Sequence, residues 1–181
     1  IGTNAALMVG LGQIRRQVMG MDDRKPTPSE IELMKNRLSV SFKSGAIGLS
    51  SGLIFTPDRF FDTETITALA SISASHGGIY HTHIRDEAEG LLESVEEAIR
   101  ISENARVKTV VTHFKAMYRR NWGTLVKATD AIHEARNRGV QIFADQFPFC
   151  EGGDVSLIPE SVWRTGKHDI QLKAESCLLY T

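Results

Sequence analysis

The sequence has little of what marks several specialised classes of protein. Only two of its 181 residues are cysteines, Cys150 and Cys177, which excludes a disulfide framework and favours a reducing compartment, so we expect a cytoplasmic protein. Basic residues number 21 and acidic residues 22, so no positive surplus exists to attract nucleic acid or an anionic membrane surface. No apolar run approaches the roughly 18 residues of a membrane-spanning helix. We therefore expect neither nucleic acid nor a membrane as a partner.

What the sequence has instead is a regular alternation of strand-like and helix-like segments. Thr27, Pro28 and Glu30 form a capping box with proline in the first helical position, and so predict the start of a helix that Gly45 ends. Asp62 predicts the start of the next helix. In all, the patterns predict four helices, which begin near Thr27, Asp62, Leu91 and Asn121, and five strands, ALMVGLG, AIGLSSGLIF, IYHTHI, VKTVVTHFK and VQIFADQF.

The spacing of these segments predicts a parallel sheet, because the strands recur about every 30 residues, the length of one βαβ unit. Two architectures have this alternation, the open doubly wound sheet and the closed (β/α)8 barrel. The open sheet usually carries a glycine-rich phosphate turn after its first strand, and Gly10-Leu11-Gly12 lacks the third glycine of that turn. No linker rich in Pro, Gly or Ser interrupts the alternation before residue 150, so one domain is expected.

Polar side chains gather where the predicted strands end. His83 and His113 each close an apolar strand and stand one βα unit apart, so we expect them on neighbouring strands. Ligands bind at the carboxyl ends of parallel strands, and two inward-facing histidines there can share one zinc ion. The alternative is that both are unrelated, part-buried histidines. His81 would face the same side as His83, but the His-x-His spacing alone is weak evidence for a second ligand.

A set of motifs distributed over most of the chain resembles one enzyme family. They run in order from about Asn4 to about Pro159 and read VMGMDDRKPTPSE, GAIGLSSGLIF, HTHIRDE, GLLESVEEAIRI, THFK, NWG and ADQFPF. They are similar to the N-acyl-D-amino-acid deacylases, the D-aminoacylase family of the amidohydrolase superfamily. The resemblance implies an α/β fold, namely a partial (β/α)8 TIM barrel covering about strands 3 to 7. Residues 1–159 would form this partial barrel, and residues 160–181 a poorly matched tail.

The resemblance also implies roles for individual residues. His83 and His113 match the metal-binding histidines of the fifth and sixth barrel strands, and Lys115 matches a lysine that helps hold the substrate carboxylate. Arg85 belongs to an Arg-Asp-Glu run, for which substrate contact and a mutual salt bridge that shapes the loop are both open. Phe147 replaces a tyrosine that would donate its hydroxyl toward the substrate carboxylate.

Four further positions near the expected pocket carry narrower expectations. His81 stands where the family has a small residue, so we expect it to line the pocket without binding the metal. Asp145, at the end of the last predicted strand, is expected beside His113 at the pocket mouth, without touching the metal. Cys150 is expected to be a small buried thiol rather than a ligand. Leu11 occupies a position where the family usually has histidine.

Several elements of the family pattern have no counterpart in this sequence. These are a first-strand histidine pair, a cysteine or glutamate ligand shortly after it, and the eighth-strand aspartate that acts as general acid and base, so no catalytic residue is assigned. The resemblance implies a zinc-dependent hydrolase of small-molecule N-acyl-D-amino acids, with this chain an inactive fragment whose unpaired barrel edges favour self-association. Two alternatives remain: a non-catalytic truncated remnant, and a cyclic-amide hydrolase of the hydantoinase or dihydroorotase kind, whose metal-bridging lysine is missing from GAIGLSSG.

Overall fold

A computed structural model describes residues 3–147, so Cys150 and the tail 160–181 lie outside the described residues. The described part forms five strands, β1 Met8–Gly10, β2 Gly48–Gly52, β3 Ile79–His83, β4 Lys108–Val111 and β5 Ile142–Ala144. It also forms five α-helices, α1 Leu11–Met19, α2 Pro28–Lys43, α3 Thr63–Ser75, α4 Leu91–Ala105 and α5 Trp122–Asn137. Two short 3-10 turns, Asp58–Phe60 and Arg119–Asn121, lie in the loops after β2 and β4.

The five strands form one sheet in which each strand pairs in parallel with the next one in the chain, in the order β1-β2-β3-β4-β5. Ser50 of β2 is in register with His81 of β3, and His81 with Val110 of β4. A doubly wound sheet reverses its strand order at a switch point, whereas a barrel adds strands in sequence. The α/β fold and the arc of a (β/α)8 barrel predicted from the sequence are therefore confirmed.

The capping signals place two helix starts where the sequence predicts them. Glu30 N donates to Thr27 Oγ1 at 3.3 Å, and Thr27 N donates to Glu30 Oε2 at 2.8 Å, which completes the capping box of α2. Hydrogen bonds from Arg24 and Thr27 lower the pKa of Glu30 to about 2. At the start of α3, Thr65 N donates to Asp62 Oδ1 at 2.9 Å.

The sequence pattern predicts no helix where α1 lies, because the predicted first strand continues through Leu11 and Gly12, the first two residues of this helix. The strand ends at Gly10, and α1 begins at Leu11 although no side chain caps its N-terminus. Leu11, Ile14 and Met19 are buried along one face of this helix. The glycines on both sides of Leu11 hide the helical period, so the alternation is not strict and two helices connect β1 to β2.

Side chains of each strand alternate between the helix layer and the opposite face of the sheet. Tyr80 and Thr82 of β3 are 0% and 1% exposed and both lie 2.8 Å from the hydroxyl oxygen of Ser51, inside the layer that packs against the helices. His81 and His83 are only partly buried on the other face. This is the face that lines the interior of a barrel.

The strands β1 and β5 form the two outer edges of the described sheet. Phe143 on β5 leaves 45% of its surface exposed. Self-association through these edges and a cytoplasmic location remain predictions. None of the helices in residues 3–147 is long and apolar enough to cross a membrane.

Candidate metal centre

The predicted site residues lie at the carboxyl edge of the sheet. His83 is the last residue of β3, His113 lies two residues beyond β4, and Asp145 directly follows β5. Backbone hydrogen bonds continue past the strand ends, since Thr112 N donates to the carbonyl of Thr82 at 2.9 Å and Phe114 N donates to that of Asp145 at 2.8 Å. The neighbouring strands therefore hold these residues at one height.

Three side chains that can bind a metal, His83, Glu87 and His113, converge at this edge, with one ligand atom from each lying within 4.8 Å of the others. Nδ1 of His113 lies 2.7 Å from Oε1 of Glu87, a close contact that lacks the direction of a good hydrogen bond. Nε2 of His83 lies 3.9 Å from the same oxygen. The two imidazole rings meet edge to face with their centroids 4.4 Å apart. The structure thus brings the two predicted histidines together and adds the carboxylate of Glu87 to them.

The loop that carries Glu87 is fixed by Arg85. Nε and Nη2 of Arg85 donate to the two carboxylate oxygens of Glu97, both at 2.9 Å. Nη1 donates to the carbonyl of Arg59 at 2.9 Å, and Nη2 also donates to that of Phe61 at 3.0 Å. The partner of Arg85 is therefore Glu97 of α4 rather than its neighbours in the Arg-Asp-Glu run. These contacts tie the loops after β2 and β3 to α4.

A second set of hydrogen bonds shapes the same loop around Asp86. Ala88 N donates to Asp86 Oδ1 at 2.6 Å, and Asp86 N donates to the Ser94 hydroxyl at 2.9 Å. Met117 N, from the loop after β4, donates to the carbonyl of Glu87 at 2.6 Å. The loop after β4 thus holds the backbone of Glu87, and the contacts of Asp86 fix the residues beside it, so that the Glu87 side chain lies next to the two histidines.

The electrostatics of the cluster favour a charged Glu87 and a neutral His83. Burial opposes the ionisation of Glu87, but its contacts with His113 and Lys115 outweigh burial and hold its pKa below the ordinary value. Lys115 Nζ lies 2.5 Å from Glu87 Oε2. Burial lowers the pKa of His83 to about 4, helped by His113 and Lys115 and opposed by Glu87. At neutral pH the His83 ring is therefore uncharged and has a lone pair to offer.

His113 adopts a strained backbone conformation. Its φ of 39° lies in the left-handed region, which is uncommon for residues other than glycine. Asp145 Oδ1 accepts hydrogen bonds from His113 N at 2.6 Å and from the Thr112 hydroxyl at 3.1 Å. Asp145 Oδ2 lies 3.1 Å from Nε2 of His81. Asp145 thus lies beside His113, as predicted, and outside the cluster of three.

The donor set fits a metal ion such as zinc. Nε2 of His83 is buried and has no hydrogen-bond partner among the described residues. An unpaired polar atom in a buried position costs free energy, and a bound cation would remove that cost. Imidazole nitrogen and carboxylate oxygen are both ligands that zinc accepts. The residues present therefore suit zinc, although binding itself stays a prediction.

The other predicted site residues separate into two groups. Lys115 joins the cluster, with Nζ 3.0 Å from His113 Nδ1, and the ring centroid of Phe147 lies 5.8 Å from that Nζ. Arg85 is engaged by Glu97 and by loop carbonyls, so its place favours shaping the loop over contacting a substrate. Leu11 is fully buried in the apolar core.

Glu87 is the residue of the cluster for which the sequence analysis predicts no role of its own. It belongs to the Arg-Asp-Glu run, for which the sequence leaves open substrate contact and a mutual salt bridge that shapes the loop. The available signal is its position four residues after His83, close enough for a loop to return it to the same strand end.

A cavity of about 400 Å³ lies at the opposite end of the strands, beside Gly78, Lys108 and Gln141. The residues of the cluster do not line it.

Comparison with known sequences finds relatives of one kind. The chain is 36% identical to a D-aminoacylase of Alcaligenes xylosoxydans xylosoxydans over 149 residues, which are 82% of this chain and 31% of that protein. It is 30% identical to an N-acyl-D-glutamate deacylase of the same organism over 157 residues, 87% of this chain and 32% of that protein. The chain thus spans about a third of the length of the curated relatives it matches. No family model matches the sequence.

Comparison of structures gives the same result. The N-acyl-D-glutamate deacylase from Bordetella bronchiseptica, solved with zinc and a phosphonate inhibitor that mimics the tetrahedral intermediate, aligns with a TM-score of 0.78 at 32% identity, covering 81% of this chain and 31% of that one. A D-aminoacylase, described as defining a novel subset of amidohydrolases, aligns with a TM-score of 0.76 at 36% identity, covering 83% and 31%. By sequence and by fold, the homologues of this chain are N-acyl-D-amino-acid deacylases (D-aminoacylases) of the amidohydrolase superfamily, and the chain matches about a third of their length.

Proposed function

We propose that this chain supplies part of the active site of a zinc-dependent hydrolase that cleaves the amide bond of N-acyl-D-amino acids to a carboxylate and a D-amino acid. The observation that carries the proposal is the convergence of His83 and His113 at the carboxyl edge of a parallel sheet, with a buried ring nitrogen of His83 left unpaired. The zinc and the phosphonate inhibitor in the solved deacylase from Bordetella bronchiseptica support the choice of metal and reaction.

Each residue of the site has a distinct part in this proposal. His83 and His113 hold the metal, and His83 can do so at neutral pH because its pKa is about 4. When bound, zinc lowers the pKa of a water molecule toward 7 and polarises the amide carbonyl. Lys115 receives the substrate carboxylate as an ammonium donor, beside the ring of Phe147, which offers no hydroxyl. Arg85 acts through the loop that it braces.

We further propose that the 181-residue polypeptide, tested alone, does not turn over substrate. A catalytic zinc usually has three protein ligands, and the general acid that the family places on the eighth strand has no counterpart in this sequence. Loss of a general acid typically costs about 10²- to 10⁴-fold in rate. The alternative is a non-catalytic chain that at most binds metal. It also predicts no turnover, but unlike the enzyme proposal it predicts no specific binding of substrate.

Metal binding tests the first part of the proposal. Zinc would be titrated into the 181-residue chain in competition with a chromophoric chelator. We expect the His83→Ala, His113→Ala double variant to lose binding, while His133→Ala, an exposed histidine on α5, leaves binding unchanged. Equal zinc affinity in the wild type and the double variant would contradict the proposed site.

Substrate recognition distinguishes the enzyme from the metal-binding remnant. With zinc present, binding of N-acetyl-D-methionine would be followed by NMR, beside the L-enantiomer and the D-amide, in which the carboxylate is replaced. We expect the D-acid to bind better than both, and Lys115→Met to remove its advantage over the amide. Equal binding of all three ligands, or binding of none, would favour the non-catalytic remnant that at most binds metal. Release of free amino acid above the double-variant blank would show that the chain is active alone.

A further inference from the structure

We propose that Glu87 is a positioning residue that couples the metal ligand His113 to the substrate-binding Lys115 and balances the charge of Lys115 beside the metal. The proposal rests on the function proposed above. It links the metal site at His113 to the substrate site at Lys115, which the sequence analysis assigns separately. Its basis is the geometry of one buried carboxylate with a different partner on each oxygen.

The carboxylate is enclosed together with both partners. Glu87 is 3% exposed and Lys115 is 9% exposed. Oε1 faces Nδ1 of His113 at 2.7 Å, and Oε2 faces Nζ of Lys115 at 2.5 Å. A buried charge whose partner is removed is strongly destabilising, so the two charges must be present together. Glu87 is therefore the group that allows an ammonium to lie inside the site.

Charge balance makes this pairing matter for the metal. Lys115 Nζ lies 3.0 Å from Nδ1 of His113 and 3.3 Å from its carbonyl oxygen. A cation this close to the ring that holds a dication opposes metal binding by Coulomb repulsion, which water screens weakly in a buried site. The negative charge of Glu87 offsets that repulsion. The same carboxylate thus offsets the charge of Lys115 and keeps the metal site usable.

The contacts also indicate which side of the His113 ring is available. Both Glu87 and Lys115 lie against Nδ1, so Nε2 is the nitrogen left for the metal. The 2.7 Å contact between Glu87 and Nδ1 is bent, and we expect it to straighten into the hydrogen bond of a carboxylate–histidine–metal arrangement when Nε2 binds the metal. In such arrangements the carboxylate fixes the orientation and the tautomer of the ring. The position of Oε2 against Lys115 further favours this role over direct ligation by Glu87, because Lys115 already neutralises the carboxylate.

Metal titration of matched variants tests the proposal in the 181-residue chain. Co²⁺ would be titrated into the wild type, Glu87→Gln, Lys115→Met and Glu89→Gln, which removes an exposed carboxylate two positions away. We expect Glu87→Gln to bind Co²⁺ about 10- to 100-fold more weakly with an unchanged d–d spectrum. Lys115→Met should bind it at least about 3-fold more tightly, because a neighbouring cation is removed. Glu89→Gln should match the wild type.

The outcomes separate this proposal from the proposed function. If the wild type and all variants bind no Co²⁺, the proposed metal site fails. The tautomer of His113 in the metal-free chain, measured by ¹⁵N NMR, then still decides the role of Glu87: the Nδ1–H form should dominate in the wild type and decline in Glu87→Gln. Unchanged Co²⁺ affinity and tautomer in Glu87→Gln would overturn the proposal. A changed d–d spectrum would also overturn it, since Glu87 would then be a ligand.

A fourth variant covers the case in which Glu87→Gln does not fold. The double variant Glu87→Gln, Lys115→Met removes both charges of the pair, which is better tolerated than removing one. We expect it to fold and to bind Co²⁺ more tightly than Glu87→Gln, or, where that single variant is unfolded, within about 10-fold of the wild type. Weaker binding by Lys115→Met than by the wild type would contradict the charge-balance argument, because a purely structural ion pair loses function whichever partner is removed.

Discussion

The carboxylate of Asp145 holds the backbone of His113: Oδ1 accepts the His113 N–H at 2.6 Å. The contact reaches from the end of β5 to the turn after β4, where His113 has a φ of 39°. Such a backbone conformation persists when surrounding contacts over-determine it. Burial alone would raise the pKa of Asp145, but hydrogen bonds from His113, His81 and Thr112 outweigh burial and lower it. Asp145 therefore stays ionised and fixes the backbone of a proposed metal ligand from outside the cluster.

Removing this carboxylate should weaken the metal site. We expect Asp145→Ala to lower zinc affinity by about 10-fold, since it releases His113, and to lower the free energy of unfolding by about 1 kcal/mol. Asp145→Asn keeps an acceptor for the His113 N–H and should retain most of both. Asp130→Ala, an exposed acid on α5, serves as the control. Chelator competition and urea unfolding give the two values. An Asp145→Ala chain with wild-type zinc affinity would show that the contact does not position His113.

Two glycines in equivalent helix positions should respond oppositely to alanine. A Cβ on Gly12, the second residue of α1, would lie 2.1 Å from Asp58 Oδ1 and 3.3 Å from Pro57 Cδ, whereas a Cβ on Gly123, the second residue of α5, meets nothing within 4 Å. We expect Gly12→Ala to lower the free energy of unfolding by about 1–3 kcal/mol and Gly123→Ala to raise it by up to about 1 kcal/mol. Urea unfolding followed by circular dichroism measures both. Equal changes would mean that α1 does not pack on Asp58.

Asp58 should make stability fall as the pH rises through about 4 to 6. Burial raises its pKa from 3.8 to about 6, against the opposing effects of the Gly52 N–H and Arg15. The folded state then binds the Asp58 proton more tightly than the unfolded state does. Ionisation of Asp58 therefore lowers the free energy of unfolding, by about 3 kcal/mol once the pH exceeds 6. Relative to Asp58→Asn, the wild type should lose about that much between pH 4 and pH 7. Urea unfolding at each pH measures the difference, and a constant difference would contradict the raised pKa.

Local sequence signals predicted elements whose causes are local. The capping box of Thr27 and Glu30 placed the start of α2 at Pro28, and Asp62 placed the start of α3 at Thr63. The helix α1 had no such signal, because Gly10 caps it without a side chain and its stability comes from residues packed around Leu11. The helix was therefore hidden until the tertiary contacts were known.

The site shows the same division between local and distant causes. The strand ends predicted that His83 and His113 would meet, because parallel pairing fixes the height of each strand end. The role of Glu87 was not predictable from spacing, because it depends on two loops closing over one carboxylate. The Arg-Asp-Glu run predicts, as one of two alternatives, a salt bridge between Arg85 and its sequence neighbours, but its partner Glu97 lies on α4, 12 positions away. Ion pairs across elements follow the packing of those elements, and short motifs do not encode that packing.

The pair of Arg85 and Glu97 gives the last prediction, which decides between bracing and substrate contact. Their side chains are 33% and 8% exposed, whereas those of Arg138 and Glu103, an ion pair at 3.9 Å, are 53% and 49% exposed. We expect Arg85→Met to lower the free energy of unfolding by about 2–3 kcal/mol, because Glu97 is left buried and unpaired, and Arg138→Met by less than about 0.5 kcal/mol.

A double-mutant cycle completes this test. The variant Arg85→Met, Glu97→Met should lose clearly less stability than the sum of its two single variants, since no charge is then left unpaired. Arg85→Met should also bind zinc more weakly, because the loop that carries Glu87 loses its brace to the loop after β2. Urea unfolding and chelator competition provide the measurements. A near-zero coupling energy, together with unchanged zinc affinity and weaker binding of N-acetyl-D-methionine, would instead assign Arg85 to the substrate.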